Sequence, residues 1–203
     1  MLEGLDNIDW SRLQHAYGTA EDVPGLIRAL LSDDMAIRDV AVYELFGNIY
    51  HQGTVYEASA HAIPFLIELM ESPPTPDRAS IACLLASIAN GSGYLEVHTI
   101  YERMESKWSY ILAREGTTLE AKLKEERAVV ESVRREAAKA LPLLVPFLSH
   151  SEPEIRSSVA SAIGAFPDYR TTYLPILEIA LAIESDDEVR AEIAQNIARL
   201  NVT

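Results

Sequence analysis

The 203-residue chain holds a single cysteine, Cys83. An internal disulfide framework is therefore impossible, and a reducing compartment fits. Basic residues are also few: 17 Lys and Arg stand against 31 Asp and Glu, a formal net charge of −14. Such a body repels phosphate backbones, so nucleic acid is not expected as a partner and a basic protein is favoured. No uncharged apolar run approaches the roughly 18 residues a membrane-spanning helix needs, so no membrane is expected either. The opening MLEGLDNID is acidic and lacks the apolar stretch of a secretory leader, which points to the cytoplasm. Strand-type punctuation is scarce, and long Ala/Leu/Ile/Glu-rich segments dominate, which favours an all-helical chain. The acidity is uneven. Residues 1–92 carry 13 acids and 4 bases, 93–140 carry 9 of each, and 141–203 carry 9 and 4.

Against that background four segments align: VPGLIRAL (23–30), IPFLIELM (63–70), LPLLVPFL (141–148) and LPILEIAL (174–181). Each has a proline (Pro24, Pro64, Pro142, Pro175), a leucine two places on and an aliphatic residue or methionine six places on. An arginine follows 14 or 15 places later (Arg38, Arg78, Arg156, Arg190), and seven beyond it stands Leu45, Leu85, Ile163 or Ile197. Each unit reads as helix A, short turn, helix B, with the proline early in helix A, where a missing N–H costs least. Capping-box spacing (Ser or Thr with Glu three places on) at Ser151/Glu154, Ser185/Glu188 and Thr117/Glu120, and Thr75-Pro76, mark helix starts. Each pair has an apolar stripe it cannot bury alone, so the units must stack.

The repeat boundaries fall at about 20–50, 55–90, 137–167 and 171–201, within a single domain covering 1–203. The 78-residue gap between Arg78 and Arg156 marks an insertion at about 93–136. Val97, Ile100/Tyr101, Met104, Trp108 and Ile111/Leu112 fall on one helical face, Gly116 breaks that helix, and a charged helix runs from Leu119 into the third helix A. This reads as an inserted helical hairpin. At the other end, WSRLQHAY (10–17) reads as a short helix capping the first repeat, followed by Thr19 and Asp22 as an N-cap with an acid in the first turn.

The helix-A proline, the acidic turn and the pairs Ile37-Arg38, Ile155-Arg156 and Val189-Arg190 resemble HEAT repeats. The resemblance covers about 20–90 and 140–201, with Asp77-Arg78 departing from the pattern. It implies an all-α, right-handed α-α superhelix of four helix pairs. It also implies a ladder between turn acids and helix-B arginines: Asp33 with Arg38, Asp186 or Asp187 with Arg190, and Arg78 and Arg156 at equivalent rungs. HAYG…DVP followed by HQGTVY is similar to a group of bacterial HEAT-repeat proteins.

HQGTVY (51–56) joins the first two repeats. Thr54 and Glu57 stand in capping-box spacing, Gly53 suits a turn, and His51 suits a helix C-terminus. Alternatively His51, Gln52 and Tyr56 line a recognition edge. At one, five and eight places after the arginine, repeats two to four have mostly small or polar residues: Ala79/Cys83/Ala86, Ser157/Ser161/Gly164 and Ala191/Gln195/Ala198. Repeat one has Asp39/Tyr43/Phe46, with Tyr50 a turn further on. These either pack on Trp10, Tyr17 and the N-terminal cap or form an acid-flanked aromatic patch that grips a ligand. Tyr101, Met104, Trp108 and Tyr110 of the insertion offer a second docking face, or bury against repeats two and three.

Motifs for chemistry are absent. There is no H-x-x-x-H, G-x-S-x-G, GxGxxG or P-loop pattern, so no metal, cofactor or catalytic residue is expected. His15 and His51 could meet; His61 and Cys83 read as packed residues. A non-catalytic protein-binding module or scaffold with a basic partner results, and an immunity protein neutralising a basic toxin would fit it. The different class is an enzyme on the same array. By resemblance that would be an alkylpurine DNA glycosylase or a phycobilin lyase, although the basic groove of the first is missing.

Overall fold

The computed structural model describes residues 1–100 and 102–202, with only the backbone of Glu102. Helices dominate it. Val23–Ala29 (α1) and Met35–Asn48 (α2) pack together, followed by Glu57–Glu71 (α3) and Arg78–Ala89 (α4). Tyr94–His98 (α5), Glu102–Arg114 (α6) and Leu119–Leu144 (α7) come next; Pro153–Gly164 (α8), Arg170–Ile183 (α9) and Asp187–Asn201 (α10) complete the array. The A-type helices α3 and α7 pack on one another, and the B-type helices form the succession α4, α8, α10. Leu45, Leu66, Ile163 and Leu177 are buried at the repeating positions, and each such side chain contributes about 1.5–3 kcal/mol by leaving water. The chain is an all-α array whose units share a continuous core.

Two small hairpins interrupt the helices. Gln14–His15 (β1) pairs with Gly18–Thr19 (β2), and Tyr50–His51 (β3) pairs with Thr54–Val55 (β4), both antiparallel. The first replaces the expected capping helix over 10–17; only Trp10–Arg12 turns, as a 3-10 helix. The N-terminal segment lies across the A helices instead. Leu2 N donates to Glu68 at 2.7 Å, Arg28 pairs with Asp6 at 2.6 Å, and Trp10 stands edge-on to His61. His61 is therefore exposed beside a ring rather than packed in the core. Asp22 sits at the N-cap position, but its carboxylate accepts from His15 Nε2 (3.1 Å) and Asn48 Nδ2 (2.6 Å), which ties the hairpin to the end of α2.

The helix starts fall one or two residues from the expected boxes. Asp77 caps α4, Thr118 caps α7 and Asp186 caps α10, each accepting from a backbone N–H in the first turn. Glu152 precedes α8, with Pro153 supplying the first position. At α4 and α10 an aspartate reaches the free N–H groups in place of the neighbouring Thr75 and Ser185.

The prolines also depart from the expected first turn. Pro24 occupies it, but Pro64, Pro142 and Pro175 lie inside α3, α7 and α9. All three are exposed, so their rings lie on the solvent side of the helices.

Arg38 and Arg190 do not pair with the expected turn carboxylates, whereas Arg156 does meet a turn acid of the next repeat, Glu184. Arg38 donates to the carbonyls of Ser32 (2.7 Å) and Asp33 (3.0 Å), and Arg190 to those of Leu181 (3.1 Å) and Glu184 (2.8 Å). They close free carbonyls at the A-helix ends. Links between neighbouring units come from two other pairs, Arg78 with His150 (3.3 Å) and Arg156 with Glu184.

In the insertion, α5 and α6 both pack on α7, and Gly116 (φ 79°) makes the turn before it. The single face expected over 97–112 is split. Thr99 ends α5, its hydroxyl donating to the Leu95 carbonyl at 2.6 Å, and Val97 and Ile100 are exposed. The charged helix from Leu119 does run unbroken into the third A helix.

Candidate functional site

Between α2 and α3 the chain makes a tight β-turn rather than a plain helix link. Gln52 (φ 49°) and Gly53 (φ 93°) both take left-handed backbone, the geometry a two-residue hairpin needs. The Thr54 hydroxyl donates to the His51 carbonyl at 2.7 Å instead of capping a helix. The start of α3 is fixed one turn later: Ser59 Oγ accepts from Tyr56 N (2.8 Å) and donates to the Ile49 carbonyl (2.5 Å). His51 does not bond helix carbonyls. Its Nδ1 lies 3.2 Å from the Tyr17 hydroxyl, with the rings edge-on at 5.2 Å. His15 and His51 are thus joined through Tyr17, which also stands edge-on to His15. Among the described residues no group of three His, Cys, Asp or Glu side chains is placed to hold a metal ion.

On α2, Asp39 is exposed and Tyr43 is 77% exposed. Tyr43 therefore does not pack under an N-terminal cap; Trp10 is occupied by α3's His61. Met35 (65%), Val40 (60%) and Ile37 (49%) are exposed on the same helix. Gly47, one turn beyond Tyr43, brings the helix close to Tyr17, whose ring lies 4.0 Å from where its Cβ would stand. Ile37 holds the position that Ile155 (0%) and Val189 (2%) bury in later repeats. The N-terminal segment covers α1 and α3 and meets only the C-terminal end of α2, so Ile37 is left open.

Phe46 and Tyr50 are half-buried and edge-on at 6.2 Å. Tyr50 opens onto a cavity of about 310 Å³ lined also by Cys83, Ala86, Asn90, Ser157 and Ser161. Cys83, Ala86, Ser157 and Ser161, from repeats two and three of those singled out, thus share one wall. Cys83 is exposed in it, not packed, because α2 scarcely reaches across to α4.

The remaining candidates gather elsewhere. Gln52 is an exposed turn residue. Tyr56 is half-buried, its hydroxyl 2.7 Å from Thr54 Oγ1, and burial raises its phenol pKa. Trp108 on α6 is half-buried and edge-on to Tyr94 (5.7 Å), which stacks on His98 at 4.1 Å. Tyr94 and Tyr56 line a common cavity, so the structure brings Tyr56 toward the insertion, away from Tyr43. Tyr101 lies outside the described residues. Met35, Ile37, Val40, Tyr17 and Tyr94 extend the two groups beyond the candidates named from sequence. The sequence signal on α2 was the departure of Asp39, Tyr43 and Phe46 from the small residues of later repeats, and it did not extend to Met35, Ile37 or Val40.

A family model described as HEAT repeats matches residues 123–198. No curated protein matches the chain. Among solved structures, the chain is similar to an engineered protein at 20% identity and TM-score 0.37, covering 89% of this chain and 79% of that one. It is also similar to a designed armadillo repeat protein at 18% identity and TM-score 0.26, covering 88% and 100% respectively.

Proposed function

From a chain that carries HEAT repeats, a type of repeat that generally mediates protein–protein interaction, we propose a non-catalytic binding module that holds a basic protein partner against the bare face of α2. The observation that carries this reading is the exposure together of Met35, Ile37, Val40 and Tyr43. Apolar side chains presented contiguously on a helix are the usual core of a docking surface. Asp33, Asp34, Asp39 and Glu44 surround them, and the one base in this segment, Arg38, is held by carbonyls. The acids steer a cationic partner and the tyrosine anchors it. A second copy stacking head to tail is disfavoured, because the α9–α10 end is also acidic over 184–192. The same charge argues against a glycosylase, which needs a positive groove beside Asp39, Tyr43 and Tyr50. A bacterial cytosolic setting accords with the resemblance and the lone cysteine.

The test is affinity capture from the native host with wild-type protein and with Tyr43→Asp. A basic protein retained by the wild type, lost with the variant and released by moderate salt supports the reading. An identical captured set for both proteins, or a partner insensitive to salt, overturns it.

A further inference from the structure

The insertion does more than bridge two repeats: it closes one side of a second cavity, lined by no residue of α2. This space, about 340 Å³, lies between β4, the start of α3, α5 and α7. Its walls include Tyr56, Glu57, Tyr94, Lys122, Glu125 and Glu126. Past Glu57, Glu125 and Val129 it continues into a cavity of about 590 Å³, which small Ala60 and Ala128 hold open between α3 and α7.

The carboxylates are held in place rather than loose. Glu126 Oε2 accepts from Leu95 N at 2.8 Å, and Gly93 leaves room for it: a Cβ there would stand 2.8 Å from the same oxygen. Glu57 Oε2 accepts from Gln14 N at 3.1 Å. Glu57 keeps its other oxygen. Lys122 pairs with Glu125 at 2.6 Å, and among the described residues neither Glu57 nor Glu126 has a cation within ion-pair reach. Burial raises the Glu126 carboxyl pKa, as an unmatched anion in a shielded place requires. The aromatic wall is equally fixed, because Tyr94 stacks on His98 and stands edge-on to Trp108.

We propose that this cavity receives a guanidinium or primary ammonium group, ion-paired to Glu57 and Glu126 and covered by Tyr56 and Tyr94. Fixed carboxylates beside tyrosine rings match an organic cation through charge-assisted hydrogen bonds and cation–π contact. An anion would meet three acids. A metal ion would need three converging ligands, which the described residues do not provide. The site is independent of the α2 face.

Nitrogen-15 NMR of the full chain tests this, with Nα-acetyl-arginine amide as probe and the neutral citrulline analogue as control. The arginine probe shifts the Gln14 and Leu95 amides and the Trp108 indole saturably; the citrulline analogue does not. Glu126→Gln, which still accepts from Leu95 N, and Glu57→Gln each weaken binding about tenfold, while Tyr43→Asp leaves it unchanged. The dispersion of the same spectra shows that each variant is folded. Absence of a saturable shift, equal binding of the citrulline analogue, or undiminished affinity in both folded glutamine variants overturns the proposal. Comparing agmatine with a Gly-Gly-Arg-Gly-Gly peptide separates the two sources of the cation. Tighter agmatine binding assigns a free amine and tighter peptide binding a partner's side chain, both on the same pocket.

Discussion

Arg156 grips Glu184 with both arms of its guanidinium: Nε lies 2.6 Å from Oε2 and Nη2 lies 2.7 Å from Oε1. The pair spans two consecutive repeats and is almost wholly shielded from water. Glu184 also accepts from the backbone N–H of Ser185 and Asp186, and so shapes the turn into α10.

This arrangement predicts acid sensitivity. The Arg156 hydrogen bonds, set against burial, hold the Glu184 carboxyl at about 2, well below the ordinary 4.5. The unfolded chain therefore binds this proton more readily, and stability falls with falling pH. The contribution is complete above about pH 5 and is lost progressively as the pH drops from there to about 2. Its size is on the order of 2 kcal/mol. Urea titrations at several pH values should show this slope, and Glu184→Gln should flatten it while lowering stability at pH 7. Arg156→Lys should behave almost as badly as a deletion, because an ammonium cannot reproduce the fork.

Gly164 sets how closely α8 and α10 approach. A Cβ there would collide with the fully buried Asn196 side chain. Asn196 has little freedom to move: its Nδ2 donates to Glu192 and its Oδ1 accepts from Arg199. Gly164→Ala should cost about 1–3 kcal/mol, read as a lower denaturation midpoint with unchanged slope.

Gln52 holds left-handed backbone in the hairpin turn, where its Cβ is a burden. Asn enters that region more easily. Gln52→Asn should raise stability by about 0.5 kcal/mol, measured as an increase in melting temperature. A fall would mean that the turn is not the two-residue type.

On α2, Tyr43→Asp and Val40→Asp should leave the denaturation midpoint within about 0.5 kcal/mol of wild type, whereas Leu45→Ala, on the same helix but wholly buried, should cost about 2–5 kcal/mol. Cys83 should react with a thiol reagent such as Ellman's in the folded protein, because it is exposed in the cavity beside Tyr50.

The helices and their stacking were legible from periodicity. Leucines and isoleucines at matching offsets must share a core, and Leu66, Leu144 and Leu177 do so. What escaped were features decided by competition between near-equal options. Ser185 and Asp186 both suit a cap, and one residue of chain path selects the aspartate. His51-Gln52-Gly53-Thr54 could end a helix or turn a hairpin, and pairing with Tyr50 and Val55 selects the hairpin. Trp10 and Tyr17 looked like cover for Tyr43, but no local rule tells which helix an N-terminal segment crosses. The cation pocket was invisible because Glu57, Tyr94 and Glu126 stand far apart in the chain and meet only through the fold.

The 26-residue α7 is continuous from the insertion's turn to the third repeat, about 39 Å of unbroken rod. Its far end bears Glu125 and Glu126; its near end carries Val133, Ala137 and Leu141 in the core. With no break in the helix between them, the packing of Val133, Ala137 and Leu141 fixes where Glu126 stands.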